Sequence, residues 1–134
     1  NVWWIKDRLD IQSMKKASQL FLGMHDFRSF GRTTKSDEST KVEIQHIDIH
    51  QQGETIVLHI VGSHFLWNQV RRMIGVMVEI GRGKMQLSEI KTFLQDFSER
   101  PSQLTAPPSG LYLEKVYYDN EPFSKSPVFP VLIK

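Results

Sequence analysis

The segment Gly62-Ser63-His64-Phe65-Leu66-Trp67-Asn68-Gln69-Val70-Arg71-Arg72-Met73-Ile74-Gly75 joins two different hydrophobic periods. Before it, Ile56, Leu58 and Ile60 alternate as one face of a strand. After it, Leu66, Val70, Met73, Ile74, Met77 and Ile80 recur as the stripe of an amphipathic helix over residues 66–80. The segment also puts Arg71 on the edge of that stripe, where a charge is expensive to bury without a partner. A carboxylate arriving from elsewhere would make Arg71 an active-site group; the plain alternative is a surface arginine or a local ion pair. No obvious partner occurs in the chain. Gly75, one turn on, lets another backbone come close to the helix.

The remaining pattern is mixed. Asp10 is a good N-cap for a helix over residues 11–22, with Met14, Ala17, Phe21 and Met24 on one face and Gly23 at the stop. Residues 25–30 read as an irregular aromatic connection and residues 31–40 as a polar, mobile loop. Lys41 to His50 and Glu54 to Gly62 read as a hairpin turning at Gln52-Gly53, with a bulge where the apolar phase changes between Ile44 and Ile47. Ser88 is expected to cap a shorter helix running to about Phe97, with Ile90, Phe93, Leu94 and Phe97 apolar. Pro107-Pro108-Ser109-Gly110 breaks the chain before a strand over residues 111–118, and the proline-containing tail is extended. Strands and helices mix without βαβ alternation, so the fold class is α+β, one domain over residues 1–134.

Composition removes several function classes. The formal charge of +2 argues against a nonspecific polyanion binder and leaves room for a local basic patch. The absence of cysteine excludes disulfides and thiolate metal sites and favours an intracellular protein. No apolar run reaches membrane-spanning length and no signal-peptide pattern opens the chain. The start at Asn1-Val2 in place of Met points to a piece of a longer protein.

Other chemistry-bearing residues divide unevenly. A turn at Gln52-Gly53 would set His46 opposite His59, but two histidines without a third ligand make no catalytic metal site. His25-Asp26 has a dyad's composition without a nucleophile, and Asp26 reads as a turn former. In Thr105-Ala106-Pro107-Pro108-Ser109-Gly110-Leu111-Tyr112-Leu113, prolines and glycine fix the approach to a strand and offer Leu111 as a pocket wall. Arg72 falls on the more polar side of its helix with Asn68 and Glu79, where a solvated charge is the plain reading. Arg28, Arg32, Arg72 and the other basic residues would track an RNA backbone if they converge.

Three blocks, residues 23–30, 62–75 and 105–113, resemble in order and spacing the C-terminal half of the tRNA pseudouridine synthase A (TruA) family. The resemblance covers nearly the whole chain. It implies a half-domain with a mainly antiparallel sheet and helices packed on one face. It also implies a cofactor-free isomerase with no metal, which converts uridine to pseudouridine in tRNA, commonly in the anticodon stem-loop. In that family an aspartate attacks the sugar or assists departure of the base, and a tyrosine stacks on the base. A basic residue pairs with the aspartate, and here it matches Arg71. Phe65 and Leu111 match apolar positions near the substrate pocket, and Arg28, Arg32 and Arg72 are candidate RNA contacts. The aspartate motif of the type Arg-Thr-Asp-x-Gly-Val-His-Ala is absent; the nearest string, Gly31-Arg32-Thr33-Thr34-Lys35, has no aspartate. Trp67 stands where the family more often has a smaller aromatic or a histidine. The implied partners are tRNA, the N-terminal half and a second copy of the chain, in the cytoplasm and away from membranes. The chain alone is expected to be inactive. The rival reading is an RNA-binding or dimerisation module without chemistry, using an exposed sheet edge.

Overall fold

The computed structural model describes residues 5, 8–35, 37–53 and 55–107, together with the backbone of residues 114–115, 127–128 and 131–133. It opens on helix α1 (Ile11–Gln19), and Asp10 caps it as expected: its carboxylate accepts from the amides of Gln12 and Ser13. Met14, Ala17 and Phe21 are buried. Helix geometry stops before Leu22, so Met24 leaves the expected face and stands 60 % exposed. Gly23, at φ +96°, redirects the chain into strand β1 (Gly23–Asp26). This strand replaces the first part of the expected irregular connection. Its residues are exposed or only partly buried, so the hydrogen-bond ladder to the next strand defines it.

Strand β2 (Lys41–Gln52) pairs antiparallel with β1 and with β3 (Thr55–Gly62). The bulge expected between Ile44 and Ile47 is present as a register shift between Ile44 and His46. The turn falls one residue later than Gln52-Gly53, because Gln52 pairs with Thr55 and Gly53 takes φ +62°. That displacement re-pairs every cross-strand neighbour. His46 faces Val61, and His59 faces Asp48, so the expected His46–His59 pair does not form. His50 takes its place beside His59, with ring centroids 5.8 Å apart, and its Nδ1 lies 3.0 Å from Asp48.

Helix α2 (Gln69–Gly81) starts three residues later than the apolar stripe predicts. All six stripe residues are buried nonetheless. Helix α3 (Ser88–Gln95) buries Ile90 and Phe93 and stops before Phe97, which is 60 % exposed. Ser88 is its first residue and makes no cap; the carboxylate of Glu89 accepts from the Gln86 amide at 2.9 Å. A short helix α4 (Arg100–Gln103) follows, with proline in its first turn. Strands β4 (Glu114–Lys115), β5 (Pro127–Val128) and β6 (Val131–Ile133) complete the described elements. Among the described residues the sheet runs β1-β2-β3-β5-β4, with β6 also on β3, and every pairing is antiparallel. The fold is α+β, as the sequence predicts. Of the expected strand over residues 111–118, Glu114–Lys115 is described, and the rest lies outside the described residues.

The core lies between the β2–β3 hairpin and the helices. Ile44, Leu58 and Ile60 meet Met73, Ile74 and Met77 there. An aromatic cluster, Phe21, Phe27, Phe30 and Phe93, extends it toward α3, with edge-to-face contacts at 5.3 to 6.2 Å between centroids. Buried Ser29 fastens this corner, donating to the Asp96 carbonyl and accepting from the Ser98 amide. Among the described residues no helix is long and apolar enough to cross a membrane.

Candidate active site

The N-terminal end of α2 is assembled at visible cost. Asn68, its N-cap, sits at φ 64°, ψ 4°, in the left-handed region. Asparagine tolerates that region better than most residues, yet the conformation still stores roughly 1 kcal/mol. Its side chain makes no cap hydrogen bond to the helix. Instead Asn68 Oδ1 accepts from Arg71 Nη1 at 3.0 Å. The helix thus forgoes a cap worth about 1 kcal/mol in order to hold an arginine. Fully buried Gln69 braces the turn from inside: its Oε1 accepts from the Leu66 amide at 2.9 Å.

Arg71 has a second anchor. Its Nε donates to the Ala106 carbonyl at 2.7 Å, and the Ala106 amide donates back to the Arg71 carbonyl at 3.0 Å. The segment carrying Ala106 reaches the helix because residue 75 is glycine. A Cβ there would run into the backbone carbonyl of Leu104. Both side-chain acceptors of Arg71 are neutral, and among the described residues no carboxylate pairs with it. Its charge is held in place without being neutralised.

Two further arginines share this charge. Arg72 is half buried, and its Nε is shielded from solvent without a hydrogen-bond partner. Burial holds the Arg72 guanidinium below its ordinary pKa, and the nearby charges of Arg32 and Arg71 push the same way. Arg32 comes from the loop after Phe30. Its carbonyl accepts from the Trp67 amide at 3.1 Å, an isolated β-bridge that crosses at Gly31. A side chain at residue 31 would collide with Leu66 and with the Trp67 carbonyl. The Arg32 guanidinium lies 4.3 Å from the centre of the Trp67 ring. Arg32, Thr33, Thr34 and Trp67 line an open hollow of about 450 Å³.

The structure therefore brings Arg32, Arg71 and Arg72 together. Arg28 is engaged elsewhere, donating through Nη2 to the Gln95 carbonyl at the end of α3. Phe65 is partly buried against the core beside Gly62. Leu111 lies outside the described residues. Reasoning from sequence missed Asn68, Gln69 and Ala106 as positioning residues. One signal was available for Asn68, since asparagine at a helix start is compatible with a positive φ.

A family model described as tRNA pseudouridine synthase matches residues 17–119. That span includes both crossing glycines and all three clustered arginines. The chain belongs to the tRNA pseudouridine synthase family. It is 39 % identical over 112 residues to tRNA pseudouridine synthase A of an Exiguobacterium species, covering 84 % of the chain and 46 % of the relative. It is 36 % identical over 117 residues to tRNA pseudouridine synthase A 2 of Clostridium perfringens, covering 87 % and 48 %. It is 37 % identical over 121 residues to tRNA pseudouridine synthase A of Citrifermentans bemidjiense, covering 90 % and 48 %. The chain spans about half the length of the curated relatives it matches. Within this pseudouridine synthase family chain, Trp67 does not enter the core. It is 52 % exposed and carries Arg32 on its ring.

Proposed function

We propose that this chain is the C-terminal half of a tRNA pseudouridine synthase that isomerises uridines of the anticodon stem-loop, and that it contributes Arg71 to an active site shared with an N-terminal half. The observation that carries this reading is the state of Arg71: fixed by two neutral oxygens, charged, and without a carboxylate among the described residues. An aspartate brought against such a guanidinium is kept ionised and aimed, as nucleophile or as the group that assists base departure. The arginine transfers no proton in doing this. It acts by placing a fixed positive charge where the carboxylate must stay negative while the glycosidic bond breaks and the base turns.

On this reading the chain alone forms no pseudouridine, because the aspartate comes from the other half. The test is to assay tRNA with the chain by itself, then with an N-terminal half carrying the aspartate motif, using wild type and Arg71→Ala. The expected outcome is activity only in the mixture, lowered about 100- to 1,000-fold by Arg71→Ala, with tRNA still bound. Isomerisation by the pure chain would sink the shared-site reading. Full activity of the Arg71→Ala mixture would make Arg71 a structural residue.

A further inference from the structure

The geometry points to a nucleotide subsite beside Arg71, built by Arg32, Trp67 and Arg72, which takes an unstacked RNA base on the indole ring and its neighbouring phosphodiester on the arginines. This rests on the reading of the chain as part of an RNA-modifying enzyme, and goes beyond it by naming where one nucleotide is held and by which groups.

Three independent observations converge. The first is electrostatic. Arg71 and Arg72 occupy the first turn of α2, where the helix dipole disfavours positive charge, and that turn carries no acidic residue. Arg32 is close enough to add its own repulsion to Arg72. Three guanidinia kept together against both effects, with no carboxylate among the described residues, form a site that an anion stabilises. The second is an unmet donor. Arg72 Nε is shielded from solvent and has no acceptor. Such a donor costs free energy where it stands, and a guanidinium that turns outward to a phosphate gains an acceptor with negative charge. The third is the aromatic surface. Trp67 is 52 % exposed, its backbone is fixed by the bridge to Arg32, and the hollow it lines with Thr33 and Thr34 opens to solvent.

A base can lie on the free part of the ring, or take the place of the exposed Arg32 guanidinium and release it to a phosphate. Either arrangement joins stacking to charge pairing, the combination by which proteins hold single-stranded nucleic acid. An acidic peptide would satisfy the arginines but would leave the ring without a flat partner, so RNA is the better fit.

The test is binding of a fluorescent single-stranded uridine-containing dodecamer to the 134-residue chain, followed by anisotropy across a salt series. Trp67→Ala is expected to weaken binding about tenfold, and Trp67→Phe to restore most of the loss. Arg72→Gln is expected to lower the salt slope by about 0.7, the share of one phosphate on a single strand. Equal affinity of wild type and Trp67→Ala overturns the stacking platform. So does equal binding of the same strand with abasic positions. Competition by polyglutamate as strong as by RNA overturns the choice of ligand. Because Trp67 is half exposed, its replacement spares the core; Arg32→Gln serves as a second variant, expected to weaken binding severalfold, and unchanged affinity counts against the subsite. Oligonucleotide binding that depends on Trp67, together with no pseudouridine from the reconstituted halves, would retain the subsite and discard the isomerase reading. Isomerisation without any dependence on Trp67 would do the reverse.

Discussion

The two ends of α2 treat arginine in opposite ways. Near the C-terminal end, buried Glu79 lies 3.1 Å from Arg82 Nη1 and 3.8 Å from Arg100 Nη2. A carboxylate close to the negative end of a helix is unfavourable alone, and the two guanidinia correct it. About two turns earlier, Arg71 and Arg72 stand at the positive end beside Arg32, with no carboxylate among the described residues to correct them. The first arrangement closes its charges within the fold. The second holds its charges in place and leaves them open, a cost that the proposed function assigns to a compensating group brought from outside the described residues.

The largest effect that separates the two ends is on turnover. In the reconstituted enzyme, Arg71→Ala is expected to remove about 100- to 1,000-fold, whereas Arg82→Ala should change turnover less than about threefold. Comparable losses in both variants would erase the distinction. Next comes Gly75, between the two ends. Gly75→Ala drives a methyl group into the Leu104 carbonyl, and overpacking against backbone should cost about 2 kcal/mol despite the better helix propensity of alanine. Urea unfolding measures it, and a neutral substitution would mean that the Leu104–Ala106 segment can move aside.

Smaller still is a pair of opposite signs. Glu79→Gln should destabilise by about 1–2 kcal/mol, because two arginines lose their shared carboxylate and one of them is largely exposed. Arg72→Gln should be neutral or stabilising by up to about 0.5 kcal/mol, since it relieves repulsion at a helix start. Two losses of equal size would show that Arg72 has a stabilising role in the fold. The smallest effect lies at α1. The Asp10 carboxyl is held below its ordinary value of 3.8, chiefly by the Ser13 hydroxyl and then the Ser13 amide. A depressed carboxyl contributes stability above its unfolded pKa and loses it as pH falls through the folded one. Wild type should therefore lose stability relative to Asp10→Asn below about pH 4, and parallel acid profiles would remove this cap from the account.

Periodicity exposed most of the fold. The stripe of α2, the cap of α1 and the bulge in β2 follow from local spacing and side-chain chemistry. The hairpin register did not, because Gln52-Gly53 and the turn one residue later offer similar turn chemistry, and tertiary pairing decides between them. Strand β1 was hidden for a related reason: its exposed and partly buried residues carry no alternation, and only its partner defines it. Helix α4 was legible and overlooked, since Pro101 in the first turn is a starting signal. At the candidate site, Arg71, Arg72 and Arg32 could each be named from the sequence. Their convergence depends on two glycine crossings, at Gly31 and Gly75, that no spacing rule foretells. Arg28 had the same composition-level merit, and the structure gives it to the end of α3.

The anchor of Arg71 on Ala106 also imposes an order in time. The two residues are 35 positions apart, and both the side-chain bond and the returning amide bond need the later one. On the ribosome, a nascent chain that has exposed α2 but not yet residue 106 presents an arginine lacking its firmest support. The oriented guanidinium is thus completed only after residue 106 has followed α2 out, and a truncated chain ending before that point displays the charge without the aim.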